Sequence, residues 1–331
     1  MSMNILVTGC AGFIGSHVVR RLCQEGHQVL GLDNLNAYYD IGLKLSRLDL
    51  LMGFPTFEFR RQDIADTLAM RQVFEEHRFD RVIHLAAQAG VRHSIDNPHV
   101  YVDSNLLGFV NILEGCRRAV VGHLLYASSS SVYGISRALP LREDAPTLPV
   151  SLYAVSKRAN ELMAHSYAHL FGLPATGLRL FTVYGPWGRP DMAPFKFTQA
   201  MLEGRPIDVY NGGNLSRDFT YIDDVVEGIV QLLNCLPHVG PKHGPGDNEV
   251  PHATFNIGFG APSSLAELIG CIESATGTSA MCHRKRMQPG DVYDTWADVS
   301  ALEARTGFRP KTPLPQGIDN FVQWYRTFYR A

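Results

Sequence analysis

Three glycines close to the amino terminus restrict what this 331-residue chain can fold into. The apolar run Asn4-Ile5-Leu6-Val7-Thr8 leads straight into Gly9-Cys10-Ala11-Gly12-Phe13-Ile14-Gly15, and SHVVRRLCQEG (16–26) then carries a helical period. A strand feeding a helix through such a turn brings free backbone N–H groups and the positive end of the helix dipole to one point, where an anion is favoured. Glycine permits the tight turn and lets the backbone approach a pyrophosphate. The spacing is GxxGxxG, not GxGxxG, but its place between first strand and first helix is that of a dinucleotide-binding βαβ unit.

The alternation continues. QVLGLD (28–33), FEFRRQD (57–63), RVIHLA (81–86), HLLYASS (123–129) and ATGLRLF (175–181) read as short strands, and FNIG (255–258) as a return strand. LAMRQVFEEH (68–77), VYVDSNLLGFVNILEGCRRA (100–119) and residues 152–171 read as helices, as do stretches near 264–276, 299–306 and 316–329. Apolar strands alternating with helices predict an α/β fold with a doubly wound parallel sheet. Residues 1–181 are expected to bind mainly the dinucleotide. From 182 to 331 the Gly-, Pro- and aromatic-rich loops predict a smaller α/β lobe for the substrate. LPHVGPKHGPGDNEVPH (236–252) reads as a mobile surface excursion, and its histidine spacings match no metal-ligand template, so no metal is expected.

Charge and cysteine usage exclude other classes. Lys and Arg number 30 against 32 Asp and Glu, which leaves no basic excess for a nucleic-acid backbone. No stretch reaches the ~18 apolar residues of a membrane helix, and MSMNILVTG is no signal peptide. The six cysteines form no CxxC pair, so a reduced, cytoplasmic protein is expected.

Asp33 ends the second strand, 24 residues after Gly9. A carboxylate there accepts from the adenosine ribose and repels a 2′-phosphate, which selects NAD over NADP. Asn34 follows, and no arginine adjoins it. Asp63 ends the third strand, either to reach the adenine edge or as a plain loop aspartate. For the chemistry, Tyr153 and Lys157 stand i, i+4 on one helix face. Ser128, Ser129 and Ser130 end the fifth strand at the carboxyl edge of the sheet, where open α/β sheets bind ligands. A tyrosine base titrating near ~10 needs a neighbouring cation, here the Lys157 ammonium and a nicotinamide ring, and a serine hydroxyl can bridge substrate and phenol. His84 reads as a packed strand histidine and Trp187 as a loop anchor.

TGCAGFIG (8–15), HLAAQAG (84–90), YASSSSVYG (126–134) and YAVSK (153–157) resemble the extended short-chain dehydrogenase/reductase family, in register over almost the whole chain. Within it, DNLNAYYD (33–40), AQAGVRHSIDNP (87–98), RLFTVYGPWGRPDMA (179–193), RDFTYIDD (217–224) and MQPGDV (287–292) are similar to UDP-glucuronate 4-epimerases. The resemblance implies a seven-stranded Rossmann sheet, a C-terminal sugar-nucleotide lobe, tightly held NAD and a homodimer packed through the helices near 101–119 and 153–171. It extends the cofactor contacts to Phe13, Ile14, Ile64, Leu85, Ala86 and Ala87. It also implies an isomerase that oxidises a UDP-sugar at carbon 4 and returns the hydride to the opposite face. Arg189 would clamp the sugar carboxylate with Thr182 as second donor, Arg217 would face the nucleotide diphosphate, and Arg92 would lie near the sugar. Related dehydratases carry Asp-Glu, and decarboxylases a Glu, where this chain has Ser130-Ser131, which argues against elimination. A UDP-glucuronate decarboxylase, another UDP-sugar 4-epimerase and a non-catalytic NAD-sensing binding protein are the competing readings.

Overall fold

Every one of the expected strands enters one sheet. The computed structural model describes residues 2–136, 138–237, 250–287 and 292–331. Its strands are β1 (Asn4–Thr8), β2 (Gln28–Asp33), β3 (Phe57–Arg61), β4 (Arg81–His84), β5 (Leu124–Ser129), β6 (Ala175–Leu180) and β7 (His252–Ile257), all parallel and ordered β7-β6-β5-β4-β1-β2-β3. The order reverses between β1 and β4, and ligands of doubly wound sheets bind beyond the strand ends at such a point. β7 starts three residues before the expected FNIG because it pairs with β6 over its whole length, from His252↔Ala175 to Ile257↔Leu180. His252 is therefore a strand residue, bonded to the Tyr126 hydroxyl at 2.8 Å, and not the end of a surface loop. Most of that expected excursion, 238–249, lies outside the described residues.

Helices α1 (Phe13–Gln24), α2 (Ile41–Leu51), α3 (Thr67–Glu76), α4 (Gly108–Arg118) and α5 (Leu152–Phe171) cover the sheet. α5 has clear local signals: Ser151 caps it by accepting from Ala154 N, and Gly172 ends it in the left-handed conformation. The helix expected over 100–119 is broken. A turn at His99–Tyr101 and a π-helical stretch at Val102–Leu107 precede α4. π-Bulges of this kind insert a residue into a helix and commonly adjoin functional sites. This one aims Asn105 inward, where its amide bonds Gln88 N (2.8 Å), Gln88 O (3.0 Å) and Ser156 Oγ (2.9 Å). The segment after β4 is thereby tied to α5.

Beyond β6 lie α6 (Ala193–Leu202), α7 (Ile222–Leu233), α8 (Leu265–Thr276), α9 (Ser300–Thr306) and α10 (Leu314–Tyr329). Short strand pairs join them: Thr182–Tyr184 with Phe219–Tyr221, and Ile207–Tyr210 with Cys282–Lys285. The apolar core runs without a break from Ile5, Val18 and Leu22 through Ile222 and Ile229 to Ile318 and Phe321. α7 packs on α1, with Arg21 and Glu227 paired at 2.9 Å. No helix among the described residues is long and apolar enough to cross a membrane.

Candidate active site

A cleft of about 410 Å³ opens at the strand ends and extends from the glycine turn to Arg217. Gly9 has φ +75°, and a Cβ on it would stand 2.7 Å from Ala86 N. A Cβ on Gly15 would stand 2.0 Å from Gly9 O, so the turn closes only with glycine at both positions. Gly12 begins α1 without any side-chain cap, which leaves the first N–H groups facing the cleft. That cradle fits a pyrophosphate. Phe13, Ile14, Asp33, Asn34, Asp63, Ile64, Leu85, Ala86 and Ala87 line the same cleft.

At the end of β2, Asp33 accepts from Leu35 N at 2.8 Å, and Asn34 donates to Asp63 at 2.9 Å. The sequence suggested no cation here, because none adjoins Asp33 in the chain. The fold supplies two: the Lys44 ammonium lies 3.7 Å from Asp33 Oδ1, and Arg61 Nε lies 3.4 Å from Asn34 O. Lys44 comes from α2, with Asn36 as a further partner at 3.1 Å, and burial pushes its pKa down. One turn later, the fully buried Arg47 donates to Ala11 O (3.0 Å), Tyr39 Oη (2.7 Å) and Trp187 O (2.6 Å). It thus pins the glycine turn to the loop that carries Arg189.

Tyr153 and Lys157 sit in the first turns of α5, beneath the end of β5. Lys157 is buried with its ammonium on Ala127 O at 2.9 Å, and burial lowers its pKa to about 8. Burial raises the Tyr153 pKa, while a hydrogen bond from Ser129 and the charge of Arg189 act to lower it. Burial outweighs both, so the phenol stands above its ordinary value, and the Lys157 ammonium is not among the groups that lower it. Ser129 accepts in turn from the Ser131 hydroxyl at 2.9 Å, which places a second hydroxyl behind the one that acts on the phenol. Strand alternation sends Ser128 the other way, onto Glu161 at 2.6 Å, where Arg179 and Arg158 also bind. Of the three candidate serines, Ser129 is the one joined to the tyrosine, while Ser130 opens the following 3₁₀ turn and lines the cleft. Ser131 was not among the sequence candidates. His84 is packed: it bonds Thr8 Oγ1 at 2.8 Å, and burial brings its pKa to about 3.

The facing wall is made of loops and the ends of short strands, one of which Thr182 opens. Thr182 and Arg189 line the cleft, and Asp191 grips Arg189 through Nε (2.9 Å) and Nη2 (2.5 Å). Burial pushes the Asp191 carboxyl up, but the Arg189 pairing and the Tyr38 hydroxyl (3.2 Å) pull it below its ordinary value. Arg217 lines the cleft with its guanidinium on the carbonyls of Val292 and Tyr293. Arg92 is exposed and outside the cleft lining, 5.3 Å over the Tyr210 ring. Asp191, Tyr38, Lys44 and Arg47 were all missed at the sequence level. Of the MQPGDV motif, 288–291 lie outside the described residues.

A tyrosine polarised by serine beside a dinucleotide cradle is the arrangement that moves a hydroxyl proton while a hydride leaves the same carbon. Known proteins agree. A probable UDP-glucuronate 4-epimerase of Rhizobium meliloti is 46% identical, with 99% of this chain covering 98% of it. The crystal structure of a Bacillus cereus UDP-glucuronic acid 4-epimerase in complex with UDP-glucuronic acid and NAD superposes with TM-score 0.90 at 34% identity, covering 99% of this chain and all of the other. A Thermotoga maritima UDP-glucose 4-epimerase bound to UDP-glucose gives 0.88 at 30% identity, with 99% and 100% covered. Residues 5–258 match the description of one family throughout, and the chain belongs to the NAD dependent epimerase/dehydratase family.

Proposed function

We propose that this protein interconverts UDP-glucuronate and UDP-galacturonate as an NAD-dependent 4-epimerase. The observation that carries the uronate reading is Arg189, which lines the cleft together with Tyr153 and whose charge acts on its phenol. A cation sharing the cleft with the base suits a substrate with a carboxylate next to the reacting carbon. The resemblance to proteins named for this activity supports the same conclusion.

NAD would be held by Gly9, Gly12, Phe13, Ile14 and Gly15 at the pyrophosphate, by Asp33, Asn34, Asp63 and Ile64 at the adenosine end, and by Leu85, Ala86 and Ala87 along β4. When bound, it supplies the acceptor that takes a hydride from carbon 4 of the sugar and gives it back to the other face. Tyr153 takes the 4-hydroxyl proton and later returns it, with Ser129 and Ser131 holding the phenol oxygen in a polarised chain. Lys157 is assigned to the cofactor ribose. Arg189 and Thr182 hold the carboxylate, which must stay near the plane of the 4-carbonyl. A β-keto acid whose carboxylate swings perpendicular loses carbon dioxide. Arg217 is assigned to the diphosphate. No acid stands at positions 130–131 to drive elimination.

The division of labour falls near residue 181, with the dinucleotide on 1–181 plus β7 and the sugar nucleotide on the remainder. Dimerisation through the helices at 101–119 and 153–171 is supported by Val102, Leu107, Val155 and Leu162, all exposed and apolar on those segments. The cysteines are free thiols, which suits the cytoplasm. The test is to incubate the protein with UDP-glucuronate and resolve products by NMR. UDP-galacturonate is expected; a pentose product or no turnover would overturn the reading.

A further inference from the structure

Resting on that uronate reading, we propose that Asp191 is a positioning residue: it holds the side edge of Arg189 so that the guanidinium's end edge meets the sugar carboxylate. A guanidinium can grip a carboxylate by two edges, Nε with Nη2 or Nη1 with Nη2. Asp191 occupies the first, at 2.9 Å to Nε and 2.5 Å to Nη2. Among the described residues no hydrogen bond reaches Nη1. Arg189 lines the cleft and Asp191 is not among its lining residues, so with the side edge taken the second edge is the one left to meet a substrate there.

Asp191 is itself held by a residue from the other half of the chain. Tyr38, in the segment after β2, donates its hydroxyl to Asp191 Oδ2 at 3.2 Å, and the Arg189 guanidinium carbon lies 6.0 Å from the centre of the Tyr38 ring. The tyrosine owes its place to Gly90, which has φ +105°, since a Cβ there would stand 2.5 Å from the Tyr38 hydroxyl. The recognition group is therefore fixed by a chain that starts on the dinucleotide side: Gly90, Tyr38, Asp191, Arg189. A flexible arginine would lose side-chain entropy each time it bound, and one already locked in plane does not.

The experiment uses the holoenzyme and two variants. Asp191→Asn keeps shape but turns one acceptor into a donor facing an N–H, while Tyr38→Phe keeps the ring and removes only the hydroxyl. For Asp191→Asn the KM of UDP-glucuronate should rise about tenfold, and for Tyr38→Phe about threefold, the scale of one lost hydrogen bond to a charged group or less. The inhibition constant of UDP-glucose, which has no carboxylate, should stay within about twofold of wild type. NAD content and Tm confirm that each variant is folded. An equal rise in both constants would mean that Asp191 merely supports the loop, and a fall in KM would make it a competitor for Arg189. Either result overturns the proposal. Failure of the uronate reading shows separately, in the wild type, as turnover of a neutral UDP-sugar with none of UDP-glucuronate.

Discussion

The two walls of the cleft are held by different forces. On the sheet wall, Gly9, Asp33 and Ser129 stand at or just past the ends of β1, β2 and β5, and Tyr153 and Lys157 in the first turns of α5. Their positions follow from the backbone ladders of the sheet and from the start of α5, which Ser151 caps. On the loop wall, Arg189 is placed by Asp191, the Trp187 and Gly188 carbonyls are held by Arg47, and Arg217 rests on the carbonyls of Val292 and Tyr293. The groups proposed to move the proton and hydride, which must be accurate to fractions of an ångström, are on the rigid wall. The groups proposed to choose the sugar are on the wall that a few side-chain substitutions can rebuild. Structures similar to this chain include proteins named for different UDP-sugars, as that division leads one to expect.

The largest expected effect tests the sheet wall. Tyr153→Phe should lower kcat by about 10²–10⁴-fold, the range of a positioned general base. The phenyl ring still packs edge-on against Tyr101, whose ring centre is 6.2 Å away, so UDP-glucuronate and NAD affinity should change little. Steady-state rates and calorimetric titration measure the two separately. A variant keeping more than a few percent of the rate would put the base elsewhere, and one that lost affinity with rate would erase the contrast between the walls.

Arg189 tests the loop wall, with a smaller effect. Arg189→Ala should weaken UDP-glucuronate binding by roughly 1.5–3 kcal/mol. It should also let some of the 4-keto acid lose carbon dioxide to a pentose product, because the carboxylate is no longer held in plane. Part of the cost is Asp191 left with Tyr38 as its remaining side-chain partner, so the Arg189→Ala/Asp191→Ala double variant should lose less than the two singles added. Arg189→Lys keeps the charge without the planar fork and should restore affinity better than product fidelity. NMR ratios of galacturonate to pentose product decide it; an Arg189→Ala enzyme with wild-type affinity and no pentose would move the clamp to Thr182 and the strand serines.

The same contrast explains what was legible in the sequence. Strand and helix periods, the glycine turn and the Ser151 and Gly172 ends of α5 are local signals, and they place most of the sheet wall directly. The break at Val102–Leu107 escaped because π-helical turns differ from α by one residue and leave the apolar spacing nearly intact. Ser128 and Ser129 necessarily face opposite sides of β5, but period 2 alone does not say which side meets α5. The loop wall depends on pairs far apart in the chain, such as Tyr38 with Asp191 and Arg47 with Trp187, 153 and 140 residues apart. No periodic pattern marks such pairs. One clue was available: an aspartate two residues after the arginine in GRPD, at a spacing where both can meet in a tight loop.

The smallest effect concerns stability and belongs again to the sheet. His84 on β4 is neutral in the folded protein, its pKa brought to about 3 by burial first and by the Lys157 charge second. In the unfolded chain it titrates near ~6.5. Between these values the unfolded state binds the extra proton, so stability is intact above pH 6.5 and falls as the pH drops towards 3. The slope from one such histidine approaches about 1.4 kcal/mol per pH unit. His123 and His252, both in or beside the sheet with pKa values lowered by burial to about 4, add to it. His84→Asn can still accept from Thr8 Oγ1 while carrying no titrating group. It should be about 1–2 kcal/mol less stable than wild type at pH 7.5, through lost packing against Phe109. Carboxylates titrate alike in both proteins and cancel in the difference. The denaturant-unfolding free energies should therefore converge as the pH is lowered below 6.5 and cross before it reaches 4.5. Curves that stay parallel would mean that His84 takes up no proton on unfolding, and the acid sensitivity would then have to be sought outside the sheet wall.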